Sequence, residues 1–336
     1  MGWRWLWNVP KLRTFTDIPP AFYELPNGVW HKIEEFEGNR TELYGVDALS
    51  LRERPDLQVV FLPGNPGACR YYTHFLKFLH SALGGRASVV GVSYLGHESG
   101  FGLHAQRTFS LREQIKHKQA VLKSYCENFD GKTVVIGHSI GAYMALKSVD
   151  HLQTSTGGKS DIEYVALFPF LACDPFSSRQ KGLKALAALD ALGVVNGTSW
   201  VLSFLPRPIL ELLTRLVDGT LDPHAVAATT GLISRDHVKN ACHLARCEFR
   251  ELEHFDLDLV RDVAENMILL HTPGDTWFPD WQQKEIEKSI SKIRMHNLEG
   301  FVHGFPVSVS MSESLANIIV KIISGSKVQG KIPLND

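Results

Sequence analysis

Thr133-Val134-Val135-Ile136 runs straight into Gly137-His138-Ser139-Ile140-Gly141 and then Ala142-Tyr143-Met144-Ala145-Leu146. A β-branched apolar run, a glycine-flanked serine and a small-residue helix former leave one local solution: strand, sharp turn, helix. In such an elbow the central residue sits on a strained turn that lifts its hydroxyl clear of the sheet. Gly137 and Gly141 are required because a Cβ at either position would collide where helix and strand cross closely. A buried strand followed at once by a helix commits the surrounding chain to an α/β layer arrangement.

The remaining periodicity agrees. Val29–Phe36 and Glu42–Leu49 alternate as two antiparallel strands around a Gly38-Asn39 turn. Leu57–Leu62 is a buried strand ending in Pro63-Gly64-Asn65-Pro66-Gly67, and Tyr72–Leu83 has helical spacing. Ser88–Tyr94, Ile162–Phe168, Asn266–His271 and Ile293–Leu298 read as further strands; Leu111–Phe129 and Ser312–Ile323 read as helices. Strands alternating with helices call for a mostly parallel twisted sheet covered on both faces. Residues 172–262 break this rhythm with successive helical segments and no strand-like run, too long for a plain connection. Asp222-Pro223 starts one of those helices. The expected organisation is a Trp-rich arm over 1–27, a core over 28–171 and 263–325, a helical cap over 172–262, and a tail over 326–336.

Thirty-five basic residues against 36 acidic leave no excess of positive charge to neutralise phosphates, which argues against a nucleic-acid partner. Hydrophobic residues make up 44% of the chain, enough for a large core. Five irregularly spaced cysteines read as free thiols of a reducing compartment. No run reaches the ~18 uncharged apolar residues of a spanning helix, and the start lacks a signal-peptide pattern. Trp3, Trp5 and Trp7 suit either a membrane interface or an arm packed on the domain. No H-E-x-x-H, P-loop or G-x-G-x-x-G occurs, so neither metal nor cofactor is expected.

A serine hydroxyl needs a base to take its proton and a carboxylate to orient that base. On sheets with this elbow the partners follow in the order serine, acid, histidine. Asp275 lies just beyond the strand Met267–His271, and His303 lies in the loop after the last strand. Ser139 is therefore the expected nucleophile, His303 the base and Asp275 its orienter. Asp174 is the competing acid; Glu299 is too near its strand end, and His138, adjacent to Ser139, suits a packing role. Two backbone N–H groups should hold the oxyanion: Ile140, and Asn65 in preference to Gly64.

Pro63-Gly64-Asn65-Pro66-Gly67, Gly137-His138-Ser139-Ile140-Gly141, Pro273-Gly274-Asp275-Thr276-Trp277-Phe278-Pro279 and His303-Gly304-Phe305 together resemble the lipid-droplet-associated hydrolase family over residues 30–325. The resemblance implies an α/β-hydrolase fold, a serine esterase triad of Ser139, Asp275 and His303, and association with lipid droplets and the endoplasmic reticulum. The expectation is a cytoplasm-facing hydrolase of neutral lipid esters, sterol esters or acylglycerols, at a phospholipid monolayer. The alternatives are a soluble carboxylesterase for small esters and a droplet-associated structural protein with little turnover. For lipid contact, the expected wedge is the apolar helix Lys181–Leu192 and the segment Trp200–Leu205, broken at Pro206-Arg207-Pro208 and continued by Ile209, Leu212, Leu213 and Leu216.

Overall fold

The computed structural model describes residues 25–48, 55–97, 107–156, 162–188, 191–233 and 235–325. Residues 1–24 of the tryptophan arm, with Trp3, Trp5 and Trp7, and the 326–336 tail lie outside the described residues. Strands β1 (Trp30–Phe36) and β2 (Asn39–Val46) form a hairpin in which Phe36 pairs with Asn39. The turn is Glu37-Gly38, one residue earlier than expected, with φ of 47° and 76°. Positive φ at both central positions is what a two-residue type I′ hairpin loop requires. Asn39 starts the second strand, and its Nδ2 donates to the Glu37 carbonyl at 3.1 Å.

Six more strands follow: β3 (Leu57–Leu62), β4 (Ser88–Val92), β5 (Lys132–His138), β6 (Ile162–Leu167), β7 (Met267–His271) and β8 (Arg294–Asn297). They lie in the order β1-β2-β4-β3-β5-β6-β7-β8. β2 meets β4 antiparallel, and every pairing from β4 through β8 is parallel. The chain steps from β3 to β4 on one side and then returns to place β5 on the other. The crevice between the carboxyl ends of β3 and β5 is thus the switch point where open α/β sheets bind ligands.

Alternate residues of each central strand enter opposite layers. Val60, Leu62, Val135, Tyr164, Ala166 and Leu269 pack against α2 (Leu111–Glu127), α3 (Ile140–Thr156) and α10 (Asp280–Ser289). Val59, Phe61, Val134, Ile136, Leu167 and Leu270 pack against α1 (Thr73–Ala82) and α11 (Val309–Ile323). Both faces are dry, as the near-continuous apolar runs of a parallel sheet demand. Helix α2 opens on a complete capping box, Ser110 with Glu113. α10 lay in a stretch for which the apolar pattern gave no element; only Gln282, Gln283 and Ile286 of it are buried.

Between β6 and β7 the described residues form helices α4 (Ser178–Ala188), α5 (Ala191–Leu202), α6 (Arg207–Val217), α7 (Pro223–Leu232), α8 (Arg235–Glu251) and α9 (Leu257–Val263). The helix expected over Lys181–Leu192 falls on α4 and the start of α5, with residues 189–190 outside the described residues. The break before α6 falls at Pro206, as a proline without an N–H requires. α7 starts after Asp222, but the aspartate does not cap it. Its carboxylate instead accepts from the Val309 N–H at 2.6 Å, at the positive end of α11. No helix among the described residues is long and apolar enough to cross a membrane.

Candidate active site

Ser139 follows β5 with φ of 56°, the left-handed region that costs an L-residue energy and that the elbow forces on it. Three contacts over-determine the turn: the Ser139 N–H donates to the Leu167 carbonyl (3.1 Å), and the Ser139 carbonyl accepts from Ala142 (3.0 Å) and Phe170 (3.1 Å). A Cβ on Gly137 would come within 2.5 Å of the Ala142 Cα. One on Gly141 would come within 2.2 Å of the Pro63 carbonyl, so this second glycine lets α3 approach the end of β3 rather than its own strand.

The loop after β8 brings His303 over the elbow. Its Nε2 lies 2.9 Å from Ser139 Oγ, and its Nδ1 lies 2.8 Å from Asp275 Oδ2. A carboxylate only accepts, so Nδ1 carries the proton and the bare Nε2 accepts from the serine hydroxyl. Asp275 sits beyond β7 on a turn that uses the positive φ of Gly274 (73°). Its other oxygen accepts from the Trp277 N–H at 2.9 Å, and its side chain is 1% exposed against 22% for His303. Thr272 Oγ1 donates to the Phe301 carbonyl at 2.8 Å, fastening the acid loop to the base loop. Ser139, His303 and Asp275 are thus brought together as one hydrogen-bonded line.

Asp174 is engaged elsewhere. Its Oδ1 accepts from Trp281 Nε1 (3.1 Å) and from the Phe176 N–H (3.0 Å) at the entry to α4. Glu299 is exposed. His138 is buried, and its Nδ1 and Nε2 face Tyr72 OH (2.8 Å) and the His303 carbonyl (3.0 Å). Burial, with His303 beside it, pushes its pKa well below the ordinary histidine value.

The loop after β3 lies against the elbow. The Gly64 N–H donates to Tyr72 OH at 3.1 Å, so Gly64 is not available as an anion donor. The Gly64 carbonyl accepts from the Gly67 N–H at 2.7 Å. In a planar trans peptide the C=O and the following N–H point in opposite directions, so the Asn65 N–H faces away from that turn. Ile140 is the first residue of α3, where backbone N–H groups have no intrahelical acceptor. The Asn65 side chain donates to the Ala241 carbonyl and to Glu248 Oε1, both at 3.1 Å on α8. Burial raises the Glu248 carboxyl to about 8, partly offset by that hydrogen bond. Tyr94 OH donates to the Pro63 carbonyl. Tyr72, Glu248 and Tyr94 escaped the sequence reading because none stands in a motif.

The chain matches the Lipid-droplet associated hydrolase family over residues 55–306. It belongs to that family. A chicken (Gallus gallus) lipid droplet-associated hydrolase is 28% identical over 76% of this chain and 82% of its own length. One from Dictyostelium discoideum is 29% identical over 79% and 90%. Solved structures share the fold at low identity. An epoxide hydrolase from Vigna radiata superposes with a TM-score of 0.61 at 14% identity, covering 89% of this chain and 99% of its own. The thioesterase domain of the curacin biosynthetic pathway gives 0.58 at 13%, covering 88% and 100%. The fold is that of the α/β-hydrolases.

In this member of the lipid-droplet associated hydrolase family the matched stretch contains the elbow, the acid loop and His303. Among the described residues no group of three or more histidine, cysteine or acidic side chains is placed to hold a metal ion.

Proposed function

We propose that the protein is a serine hydrolase that cleaves carboxylic esters of neutral lipids, sterol esters or acylglycerols, at the lipid-droplet surface. The observation that carries this is the bond from Ser139 Oγ to His303 Nε2 with Asp275 behind it. Ser139 Oγ attacks the ester carbonyl as His303 Nε2 takes its proton. The tetrahedral oxyanion is held by the Ile140 and Asn65 N–H groups, each contributing about 10²–10³ in turnover in sites of this kind. His303 then hands the proton to the departing alcohol, leaving an acyl-serine. Water attacks that ester with His303 again as base, and the acid is released as Ser139 regains its proton.

The β6–β7 insertion serves as the cap and lipid contact. Val201, Phe204, Ile209, Leu212, Leu213, Leu216 and Val217 are all exposed there, while the opposite side of α6 buries Leu210 and Thr214. A helix with one face turned to water as apolar surface suits an interface, and each large side chain that buries there contributes about 1.5–3 kcal/mol. That surface, with relatives named for droplets, favours a droplet over a dissolved small ester. The cytoplasm-facing side of the endoplasmic reticulum is the accompanying location.

Purified protein incubated with sterol esters, acylglycerols and short-chain esters, with and without a lipid monolayer, tests the reading. A fluorophosphonate should label Ser139, and Ser139→Ala should lower turnover by about 10⁶-fold. Undiminished hydrolysis in that variant removes the serine mechanism; labelling without turnover on any ester favours a structural protein at the droplet.

A further inference from the structure

The loops that carry the base and the oxyanion donor are joined through the elbow by a line of hydrogen bonds that no part of the serine mechanism uses. It starts at the Gly64 N–H, which donates to Tyr72 OH at 3.1 Å. Tyr72 OH and His138 Nδ1 are 2.8 Å apart. His138 Nε2 lies 3.0 Å from the His303 carbonyl. Every direction in the line is fixed by its ends. A carbonyl oxygen only accepts, so His138 Nε2 bears a proton; with the imidazole neutral, Nδ1 is bare and accepts; Tyr72 therefore donates its proton to Nδ1 and receives the Gly64 N–H on its oxygen. One tautomer, in one protonation state, satisfies all of it.

The surroundings hold that state. His138 is 4% exposed and Tyr72 4%. The imidazole is boxed by the rings of Tyr72, Phe168 and Phe305, with centroids 5.8, 6.3 and 5.2 Å away. The phenol is edged by Phe61 and Phe305. Burial drives the phenol pKa up and the imidazole pKa down, so both stay neutral.

We propose that Tyr72 and His138 are positioning residues: a buried relay from Gly64 through Tyr72 and His138 to the His303 carbonyl that sets the oxyanion loop and the base loop in register on the nucleophile elbow. Gly64 is one peptide from the Asn65 donor, and the His303 carbonyl belongs to the residue whose ring must meet Ser139. A shift of either loop by about 1 Å lowers turnover roughly 10²-fold in well-organised sites. The role of His138 is thus to hold the backbone of its neighbour across the site while leaving the proton transfer to His303. This inference rests on the serine-hydrolase reading for its kinetic consequence, not for its geometry.

Two measurements test it. Nitrogen-15 spectra of histidine-labelled full-length protein should show His138 with a protonated Nε2 and a bare Nδ1. Tyr72→Phe should lower kcat on a short-chain ester about tenfold with KM within about twofold of wild type. His138→Gln, whose carboxamide still donates to the His303 carbonyl, should retain about tenfold more kcat than His138→Leu at equal thermal stability. A protonated Nδ1 overturns the relay, as does a kcat unaffected in both Tyr72→Phe and His138→Gln. Equal losses in the glutamine and leucine variants that track loss of melting temperature would make the pair merely structural. If Tyr72→Phe does not fold, the tautomer and the glutamine–leucine comparison still decide. A wild-type protein that takes no fluorophosphonate refutes the nucleophile assignment separately, and the tautomer would still report on the relay.

Discussion

At the scale of single residues the sharpest discrimination lies between two aspartates. Asp275 accepts from both His303 Nδ1 and the Trp277 N–H through different oxygens. An asparagine there has one acceptor oxygen, so its NH₂ must oppose one donor, and His303 is pushed to the tautomer with Nε2 protonated. That tautomer cannot take the serine proton. Asp275→Asn should therefore lower kcat about 10⁴-fold with KM little changed. Asp174 uses a single oxygen for Trp281 Nε1 and the Phe176 N–H, which an amide oxygen reproduces. Asp174→Asn should stay within a fewfold of wild type on a chromogenic ester; a reversed ranking would transfer the acid role. Ser139 and Asp275 were legible in the sequence because each is a polar residue past the carboxyl end of an apolar run, and His303 because it follows the last strand in the order the elbow demands. Their supports were not. Tyr72 is 66 residues from His138, Glu248 is 183 from Asn65, and each occupies an ordinary helical or turn position whose value appears only when the chain closes.

At the scale of elements, the central strands β3 to β7 were readable to within two residues because both their faces are buried and their runs are apolar, whereas β2, expected over Glu42–Leu49, lies three residues earlier at Asn39–Val46. The insertion was readable as helices, but not as these helices. Gly193, Asn196 and Gly197 dilute the apolar period of α5. The orientation of α6 was also hidden, since Leu210 is buried while Leu212, Leu216 and Val217 are 58%, 73% and 89% exposed. This changes which residues test the lipid contact. Leu202 and Leu205 are only half-exposed, so serine there threatens packing as well as contact. Leu212→Ser, Leu216→Ser and Val217→Ser together should free the protein from droplets in a flotation assay. Stability should remain within about 0.5 kcal/mol per site of wild type, as for exposed positions. Leu210→Ser should instead cost roughly 2 kcal/mol or more of folding stability. If the triple variant floats with the droplets undiminished, the contact moves to the Trp3, Trp5 and Trp7 arm.

At the scale of the whole molecule, burial of titratable groups gives stability a maximum in pH that the composition, with charges of −1 overall, does not suggest. Burial lowers His97 to about 3 and His117 to about 2, and drives His138 well below the ordinary value. A histidine held neutral in the folded state takes up a proton on unfolding once the pH is below about 6.5, so its contribution is lost as pH falls. Glu248 works in the other direction. Raised to about 8, it is protonated in the folded protein and ionised in the unfolded chain between about pH 4.5 and 8, so folding stability falls as pH rises through that window. From about pH 8 down to 6.5 the Glu248 effect leads, and stability should rise as the pH falls. Below about 6.5 the buried histidines oppose the single carboxyl: His97, His117 and His138 are joined by His74, His224, His243, His271 and His296, all shifted down by burial, so unfolding takes up protons and stability should fall toward pH 4.5. Urea midpoints measured at about pH 5, 6.5 and 8.5 should therefore peak at the middle value. Glu248→Gln keeps an oxygen for the Asn65 side chain but has no proton to lose. It should abolish the decline on the alkaline side and leave the acid side steeper. A decline that persists unchanged in Glu248→Gln would assign it to another group and leave the α8 carboxyl ionised in the fold.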